Sequence, residues 1–290
     1  MSDYIIITDS SCDLPDDVAA HLGVKVVPLS LTLGGKEYLN TTDARGIPNK
    51  ELYARLRAGE VSKTSAANAD VFVAAMEPEM QAGRDVLYIG FSSALSATCQ
   101  VGANVGREMM EKYPGRKVYT VDSLCASLGQ GLFVYLLAQK KREGMELEAL
   151  RDYAEELKLH ICHWFTVNDL NYLKKGGRVS AATAFVGTML SIKPIMHTSD
   201  EGKLTVVGKA RGRKSSLNTL IDTVGRLGID LQEQTMFICQ ADCRAEAEAV
   251  AAELKRRYGV KEVYINYIGP VIGSHTGPDT MGLFFVGTER

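Results

Sequence analysis

Hydroxyl side chains that could bind an anion are concentrated in three short segments of the chain. These segments are Lys63-Thr64-Ser65, Ser92-Ser93-Ala94-Leu95-Ser96 and Gly273-Ser274-His275-Thr276-Gly277. We predict that each is a loop beside a strand or a helix. Hydroxyls at a helix N-terminus add donors where free backbone N–H groups and the helix dipole already favour an anion. Each segment taken alone is also typical of an N-cap or a turn, and Ser96 stands where an N-cap would.

His275 has the widest chemical range of these residues. It is one of five histidines in the chain and lies between two hydroxyl residues. Its imidazole could donate to a carboxylate, act as a general base or satisfy a loop carbonyl. With Ser96 or Ser127 as nucleophile, it could serve a hydrolase or acyltransferase. Ser127 lies in a segment similar to a nucleophile elbow, although Cys125 replaces the first glycine of that motif.

Phosphotransferase and nucleotide-binding signatures are incomplete. Asp9 follows the first predicted strand, as in haloacid-dehalogenase-type phosphotransferases, but Ser11 stands where the second aspartate is required. We therefore interpret Asp9 as a cap of the following turn. Gly129-Gln130-Gly131 lacks both the remaining glycine of a dinucleotide fingerprint and the lysine of a P-loop. No nucleotide or other cofactor is expected.

Histidines and cysteines near residue 160 do not predict a metal site. On a strand, His160 and Cys162 face one way and His163 faces the other, so the three do not converge. We interpret them as packing residues and expect no bound metal.

Two basic segments interrupted by glycines remain. They are Lys174-Lys175-Gly176-Gly177-Arg178 and Lys209-Ala210-Arg211-Gly212-Arg213-Lys214. Such runs are usually solvated surface, but they could also form a docking patch for a nucleotide-binding or acidic partner.

Composition limits the class of protein. Hydrophobic residues make up 46% and charged residues 23% of the 290 residues, and the formal net charge is −2. Such a chain is globular, and its charge does not match nucleic acid or an anionic membrane. The N-terminus resembles no signal peptide, no apolar run is long enough to span a membrane, and the six cysteines are scattered. We predict a cytoplasmic protein with free, buried thiols.

The pattern of apolar residues predicts an α/β protein with two lobes. In the first half, predicted strands at 4–8, 24–33, 85–91 and 117–121 alternate with helices at 14–22, 48–58, 69–82, 96–111, 127–142 and 147–159. This rhythm indicates a mostly parallel sheet flanked by helices. In the second half, a hairpin at 192–198 and 203–209 precedes helices and further strands, which indicates a mixed sheet. We predict domains at 1–158 and 159–290.

The motifs carry a family resemblance through their order along the chain. That order is Thr8-Asp9-Ser10, Lys63-Thr64-Ser65, Ser92 to Ser96, Val121-Asp122-Ser123 with Gly129-Gln130-Gly131, Leu173 to Arg178, Ile192-Lys193-Pro194-Ile195, Arg211 to Lys214 and Gly269 to Gly277. The whole chain resembles the DegV family of bacterial fatty-acid-binding proteins, which includes the lipid-binding subunit of fatty-acid kinase.

The resemblance implies a long-chain fatty acid held between the two domains. Thr64 and Ser96 would hold its carboxylate, and His275 and Thr276 would lie beside this head group. Ser65 and Ser93 are additional candidates.

The resemblance also implies a carrier rather than an enzyme. A separate kinase subunit would phosphorylate the presented carboxylate, and Arg178, Arg211 and Arg213 are the candidate docking residues for it. A Ser/His hydrolase or acyltransferase, and a regulatory protein without any ligand, are the alternatives.

The chain departs from the family pattern in two places. Ala66-Ala67 stands where the family commonly has Gln-Pro, and Ala97 replaces the glycine that usually follows the helix-opening serine. A methyl group at that close approach could tilt the head group or narrow the acyl tunnel.

Overall fold

Thirteen strands within the described ranges form three sheets in a computed structural model, which describes residues 3–180 and 191–290. The strands are Tyr4–Asp9 (β1), Lys25–Val27 (β2), Leu29–Leu33 (β3), Lys36–Asn40 (β4), Ser62–Ser65 (β5), Asp85–Gly90 (β6), Val118–Asp122 (β7), Ile161–Thr166 (β8), Ile192–Thr198 (β9), Leu204–Arg211 (β10), Thr235–Gln240 (β11), Glu262–Tyr267 (β12) and Met281–Val286 (β13). The helices are Asp16–Leu22 (α1), Asn49–Arg57 (α2), Ala69–Gln81 (α3), Thr98–Lys112 (α4), Leu128–Arg142 (α5), Leu147–Leu157 (α6), Asn171–Lys175 (α7), Arg213–Leu227 (α8), Arg244–Tyr258 (α9) and Pro270–Thr276 (α10).

The first sheet is parallel throughout and has the strand order β2-β1-β6-β7. Every residue of β6 is buried, as expected for a central strand covered on both faces. Tyr88 faces the core that α3 and α4 share, whereas Leu87 and Ile89 face the core that contains α5 and α6. This is the predicted parallel sheet flanked by helices.

The second sheet is mixed, with the strand order β10-β9-β8-β13-β11-β12. Strands β11 and β12 are parallel, and the other neighbours are antiparallel. The predicted hairpin is present as β9 and β10, whose turn ends near Gly202. Helices α8 and α9 share a core with one face of this sheet, and α5 packs against the other. The predicted fold class is therefore confirmed.

A third, antiparallel sheet was not predicted from the sequence. The segment 24–33, expected as one strand, is divided into β2 and β3, because Pro28 cannot donate to a strand ladder. Strand β3 pairs with β4 in a hairpin and with β5 on its other side. Lys63-Thr64-Ser65 is consequently part of a strand rather than a loop, so our prediction for that segment was wrong.

The segment 273–277 was also predicted as a loop and is instead the end of α10. Pro270 occupies the first turn of this helix, where its missing N–H costs nothing. Gly277 follows the helix with a φ of 77°, a conformation that glycine adopts readily. The short helix α7 was not predicted either.

The sheets divide the chain near the expected boundary, although helix α5 contacts both halves. Strands of the first and third sheets end by residue 122, and the mixed sheet begins at residue 161. The division into domains 1–158 and 159–290 stays a prediction. The six cysteines are free, and none of the helices in the described ranges is long and apolar enough to cross a membrane.

Candidate ligand-binding site

A cavity of about 290 Å³ lies where the three sheets approach one another. Its volume is close to the lower end of the range for small-molecule sites, roughly 300 Å³. Most of its wall is apolar, and both halves of the chain contribute to it. The apolar residues include Leu29, Phe91, Leu95, Phe165, Ile272 and Phe284.

Thr64 and His275 join two distant parts of the chain at this cavity. The Oγ1 of Thr64 on β5 lies 2.7 Å from the Nε2 of His275 at the end of α10. Burial, and then the nearby charge of Arg178, lower the pKa of His275 from 6.5 to about 4. The imidazole is therefore neutral near neutral pH. If Nε2 donates to Oγ1, the Thr64 hydroxyl proton remains free to bond an anion, and the neutral pair introduces no fixed charge.

Gly176 makes room for the His275 ring. A Cβ atom at position 176 would lie 2.2 Å from the Nδ1 of His275, far inside van der Waals contact. The glycine of this basic segment is thus required by the site and not only by the turn that follows α7.

Arg178 places a positive charge at the same cavity. Its Nε donates to the Leu95 carbonyl at 3.1 Å, and its Nη1 donates to the Gly176 carbonyl at 2.5 Å. Within residues 3–180 and 191–290 no carboxylate pairs with it, and burial lowers its pKa. An anionic ligand would find an uncompensated cation here.

Ser96 lies in the turn that leads into α4. Its Oγ accepts the Thr98 backbone N–H at 3.2 Å and shares a 2.9 Å hydrogen bond with the Thr98 hydroxyl. Ser96 therefore acts in the manner of a cap, although the helix itself begins two residues later. It also lines the cavity, as do Ala66 and Ala97, the two departures from the family pattern.

The remaining candidates for the head group differ in position. Thr276 and Ser65 line the cavity. The Thr276 hydroxyl donates to the Ile272 carbonyl at 3.3 Å, so its proton is already engaged. Ser93 is exposed, does not line the cavity, and has its backbone N–H on the Asp122 carboxylate at 3.2 Å.

Of the three arginines predicted for docking, only Arg178 reaches the cavity. Arg211 is exposed at the end of β10. Arg213 begins α8 and forms an ion pair with Glu246, with Nη2 and Oε2 2.8 Å apart.

Ser127, a candidate nucleophile, has the strained backbone of an elbow but a different partner. Its φ of 52° and ψ of −146° are rare for a residue with a side chain. Its Oγ donates to the Asp13 carboxylate at 2.6 Å. Burial raises the pKa of Asp13 to about 7, against the lowering effect of hydrogen bonds from Ser127 and Gly269. His275, the predicted base, is hydrogen-bonded to Thr64 instead.

His163 and Thr198 line the cavity, and neither was predicted from the sequence as a site residue. His163 was interpreted as a packing residue. The alternation of side chains along β8 turns it away from Cys162, which lies in the core beneath α8. The alternation of side chains could be predicted from the sequence. That the face carrying His163 borders a cavity could not be predicted.

The cavity wall is largely apolar and carries a hydroxyl, an imidazole and an arginine that pairs with no carboxylate in residues 3–180 and 191–290, so it is suited to an anion with an apolar body. A family model described as "Uncharacterised protein, DegV family" matches residues 4–288. The chain belongs to the DegV family, as its sequence motifs predicted.

Individual relatives match over nearly their whole length. A DegV domain-containing protein of Clostridium perfringens is 40% identical over 290 residues, which is 100% of this chain and 99% of the relative. A fatty-acid-binding DegV family protein from Thermus thermophilus has 31% identity and a TM-score of 0.86, covering 98% of this chain and 99% of its own.

A third similarity concerns the fold alone. The Fatty Acid Kinase (Fak) B3 protein of Streptococcus pneumoniae, solved with linoleic acid, has 18% identity and a TM-score of 0.85, covering 98% of this chain and 99% of its own.

Proposed function

We propose that this chain binds a long-chain fatty acid in the cavity, with the carboxylate at Thr64, Ser96 and His275. The observation that carries the proposal is the hydrogen bond between Thr64 and His275, near Arg178, which pairs with no carboxylate in the described part of the chain. Thr276 and Ser65 line the same cavity. Ser93 is the least supported of the candidates, because it lies outside the cavity wall.

The acyl chain would supply most of the affinity. Burial is worth about 0.8 kcal/mol per methylene, so a tail of about fourteen methylenes contributes roughly 11 kcal/mol before the costs of association. Head-group hydrogen bonds then fix which end of the ligand faces Arg178. The relative from Thermus thermophilus, which binds fatty acids, supports this ligand class.

The carboxylate would be presented to a separate kinase subunit for acyl-phosphate formation. Arg178 is the best-placed docking residue, because it is the one of the three candidate arginines that borders the cavity. Arg211 is exposed and available, whereas Arg213 would first have to leave Glu246. The fold shared with the fatty-acid kinase protein of Streptococcus pneumoniae is consistent with this role.

Mass spectrometry of lipids extracted from freshly purified protein tests the ligand. We expect one free fatty acid per chain. A lipid-free protein that turns over esters would instead support the hydrolase, with Ser127 or Ser96 as its nucleophile. A protein with neither lipid nor a thermal shift on adding fatty acids would support a purely regulatory role.

The presentation step needs its own assay. Addition of a fatty-acid kinase subunit and ATP should convert the bound ligand to an acyl phosphate, and Arg178→Gln should slow that conversion. Equal rates for the wild-type protein and this variant would contradict a docking role for Arg178.

A further inference from the structure

The face of the mixed sheet that lines the cavity carries two polar side chains between two apolar ones. Leu204 pairs with Thr198 across β10 and β9, and Phe284 pairs with His163 across β13 and β8. Strands β8 and β9 pair Trp164 with His197, so the next step of this register sets His163 opposite Thr198. All four residues of the row line the cavity. Cross-strand neighbours on one face have Cβ atoms about 5 Å apart.

His163 presents a hydrogen-bond acceptor in this row. Its side chain is 1% exposed, and its Nδ1 lies 2.8 Å from the Ile161 carbonyl, which can only accept. The proton is therefore on Nδ1, and Nε2 carries a lone pair. Burial and the charge of Arg290 hold the pKa of His163 well below its usual value, so the ring is neutral.

The Nε2 atom of His163 is poorly satisfied by the protein. Its partner among the described residues is the backbone N–H of Ala126, at a long 3.4 Å. Gly129 lets the ring lie close to the start of α5, since a Cβ at position 129 would be 2.0 Å from Nε2. The acceptor is thus held in place without a strong donor.

Thr198 adds a hydroxyl that the rest of the described chain leaves unused. The residue is 1% exposed, and its hydroxyl has no hydrogen-bond partner within residues 3–180 and 191–290. Two other threonines of the cavity wall differ in this respect, because Thr276 and Thr280 donate to backbone carbonyls of α10 and its C-terminal turn. The hydroxyl opens onto the cavity, so the cavity's occupant is the group that can form a hydrogen bond with it.

We propose that this site takes fatty acids that carry a hydroxyl group on the acyl chain. The ligand hydroxyl would accept a hydrogen bond from Thr198 and donate one to the Nε2 of His163. This inference rests on the proposed fatty-acid function. An unsubstituted chain would leave both protein groups without a new partner, and a keto group could accept but not donate. The hydroxyl is the substituent that matches both.

Isothermal titration calorimetry with delipidated full-length protein tests this. The ligands are octadecanoic acid and a series of octadecanoic acids hydroxylated at successive carbons. We expect at least one positional isomer to bind about tenfold more tightly than octadecanoic acid, the effect of one or two net hydrogen bonds. In Thr198→Val, which keeps the shape but removes the hydroxyl, this ratio should fall towards one. Thr198→Ser should retain it.

Thr223→Val is the matched control. Thr223 is buried on α8, its hydroxyl donates to the Thr219 carbonyl, and it does not line the cavity. The ratio should be unchanged there. A wild-type protein that binds no hydroxylated isomer more tightly than octadecanoic acid overturns the inference, as does a ratio that survives Thr198→Val. A protein that binds neither kind of acid contradicts the fatty-acid function itself, so the two failures are distinguishable.

Discussion

The Nε2 of His275 and the Oγ1 of Thr64 are 2.7 Å apart, although 211 positions separate these residues in the chain. The hydrogen bond joins the edge strand of the small antiparallel sheet to the helix that precedes β13. It therefore brings a hydroxyl from the first half and an imidazole from the second half to one point of the cavity wall. Neither half alone could provide the head-group site that we propose.

Removal of both head-group hydroxyls should weaken fatty-acid binding. In Thr64→Ala with Ser96→Ala, the carboxylate loses two charge-assisted hydrogen bonds, each worth roughly 1.5–3 kcal/mol. We expect Kd to rise at least tenfold, measured by calorimetry with octadecanoic acid. Ser30→Ala with Thr32→Ala, on the neighbouring strand β3 and outside the cavity wall, should change Kd by less than twofold. Unchanged affinity in the first variant would place the carboxylate elsewhere.

The stability of the ligand-free protein should depend on the protonation of His275. Its pKa is about 4 in the folded chain and 6.5 ordinarily, so below pH 6.5 the unfolded chain takes up a proton that the folded chain does not. The contribution of His275 to the free energy of unfolding is therefore fully present above pH 6.5. It falls by about 3 kcal/mol as the pH is lowered towards 4.

Urea unfolding of the wild-type protein and of His275→Gln checks this contribution. The difference between the two free energies of unfolding should change over pH 4–6.5, with the wild type losing more stability on acidification. Other groups, including Asp13 with its raised pKa, titrate in both proteins and cancel in the difference. A difference that is constant with pH would contradict the buried, neutral state of His275.

An alanine at position 176 should displace His275. The backbone of Gly176 has a φ of −72°, which alanine adopts without strain, so the effect would come from the 2.2 Å approach of Cβ to Nδ1. We expect fatty-acid binding to weaken by about tenfold and thermal stability to fall. Gly208→Ala on β10 is the control, because its nearest neighbour would lie at an ordinary 3.6 Å. Equal affinities for the two variants would disprove the steric requirement.

The charge of Arg178 should act on both the ligand and His275. Arg178→Gln should raise the pKa of His275, followed by its imidazole NMR signals, because a nearby cation is removed. Fatty-acid affinity should fall by about fivefold, as expected from roughly 1 kcal/mol of coulombic attraction. Arg211→Gln, outside the cavity wall, should leave both quantities as they are. A stationary His275 titration in Arg178→Gln would show that the two groups do not interact.

Ser127 should contribute to stability rather than to catalysis. Ser127→Ala removes a 2.6 Å hydrogen bond to the buried Asp13 carboxylate, which should cost about 1–3 kcal/mol of unfolding free energy. Bound fatty acid should still be found in the purified variant. Ser215→Ala, an exposed position on α8, should have no measurable effect on stability. An esterase activity that is present in the wild type and lost in Ser127→Ala would reverse this assignment.

Local patterns predicted the two large sheets, because alternating strands and helices and the 199–202 turn leave periodic signals. The third sheet was not predicted, because β3 pairs with β5, about thirty residues away in the chain, and such long-range pairing leaves no local sequence pattern. The motif order along the chain predicted Thr64, Ser96 and His275 for the head group and Arg178 for docking, and the fold brings these four to one cavity. The hydrogen-bond partners could not be predicted, since Thr64 meets His275 only through the packing of α10 on β5.

Helix α5 belongs to the first half in sequence, yet it packs on β8, β11 and β13 of the second. Tyr135 and Phe237 make an edge-to-face contact with ring centroids 5.5 Å apart, and Leu132 and Phe284 share one core. Residues 1–158 expressed alone would expose this apolar surface of α5 to water. We therefore expect the truncated chain to aggregate, and the full chain to unfold in a single cooperative transition. The two halves are distinct in topology, but we expect them to behave as one thermodynamic unit.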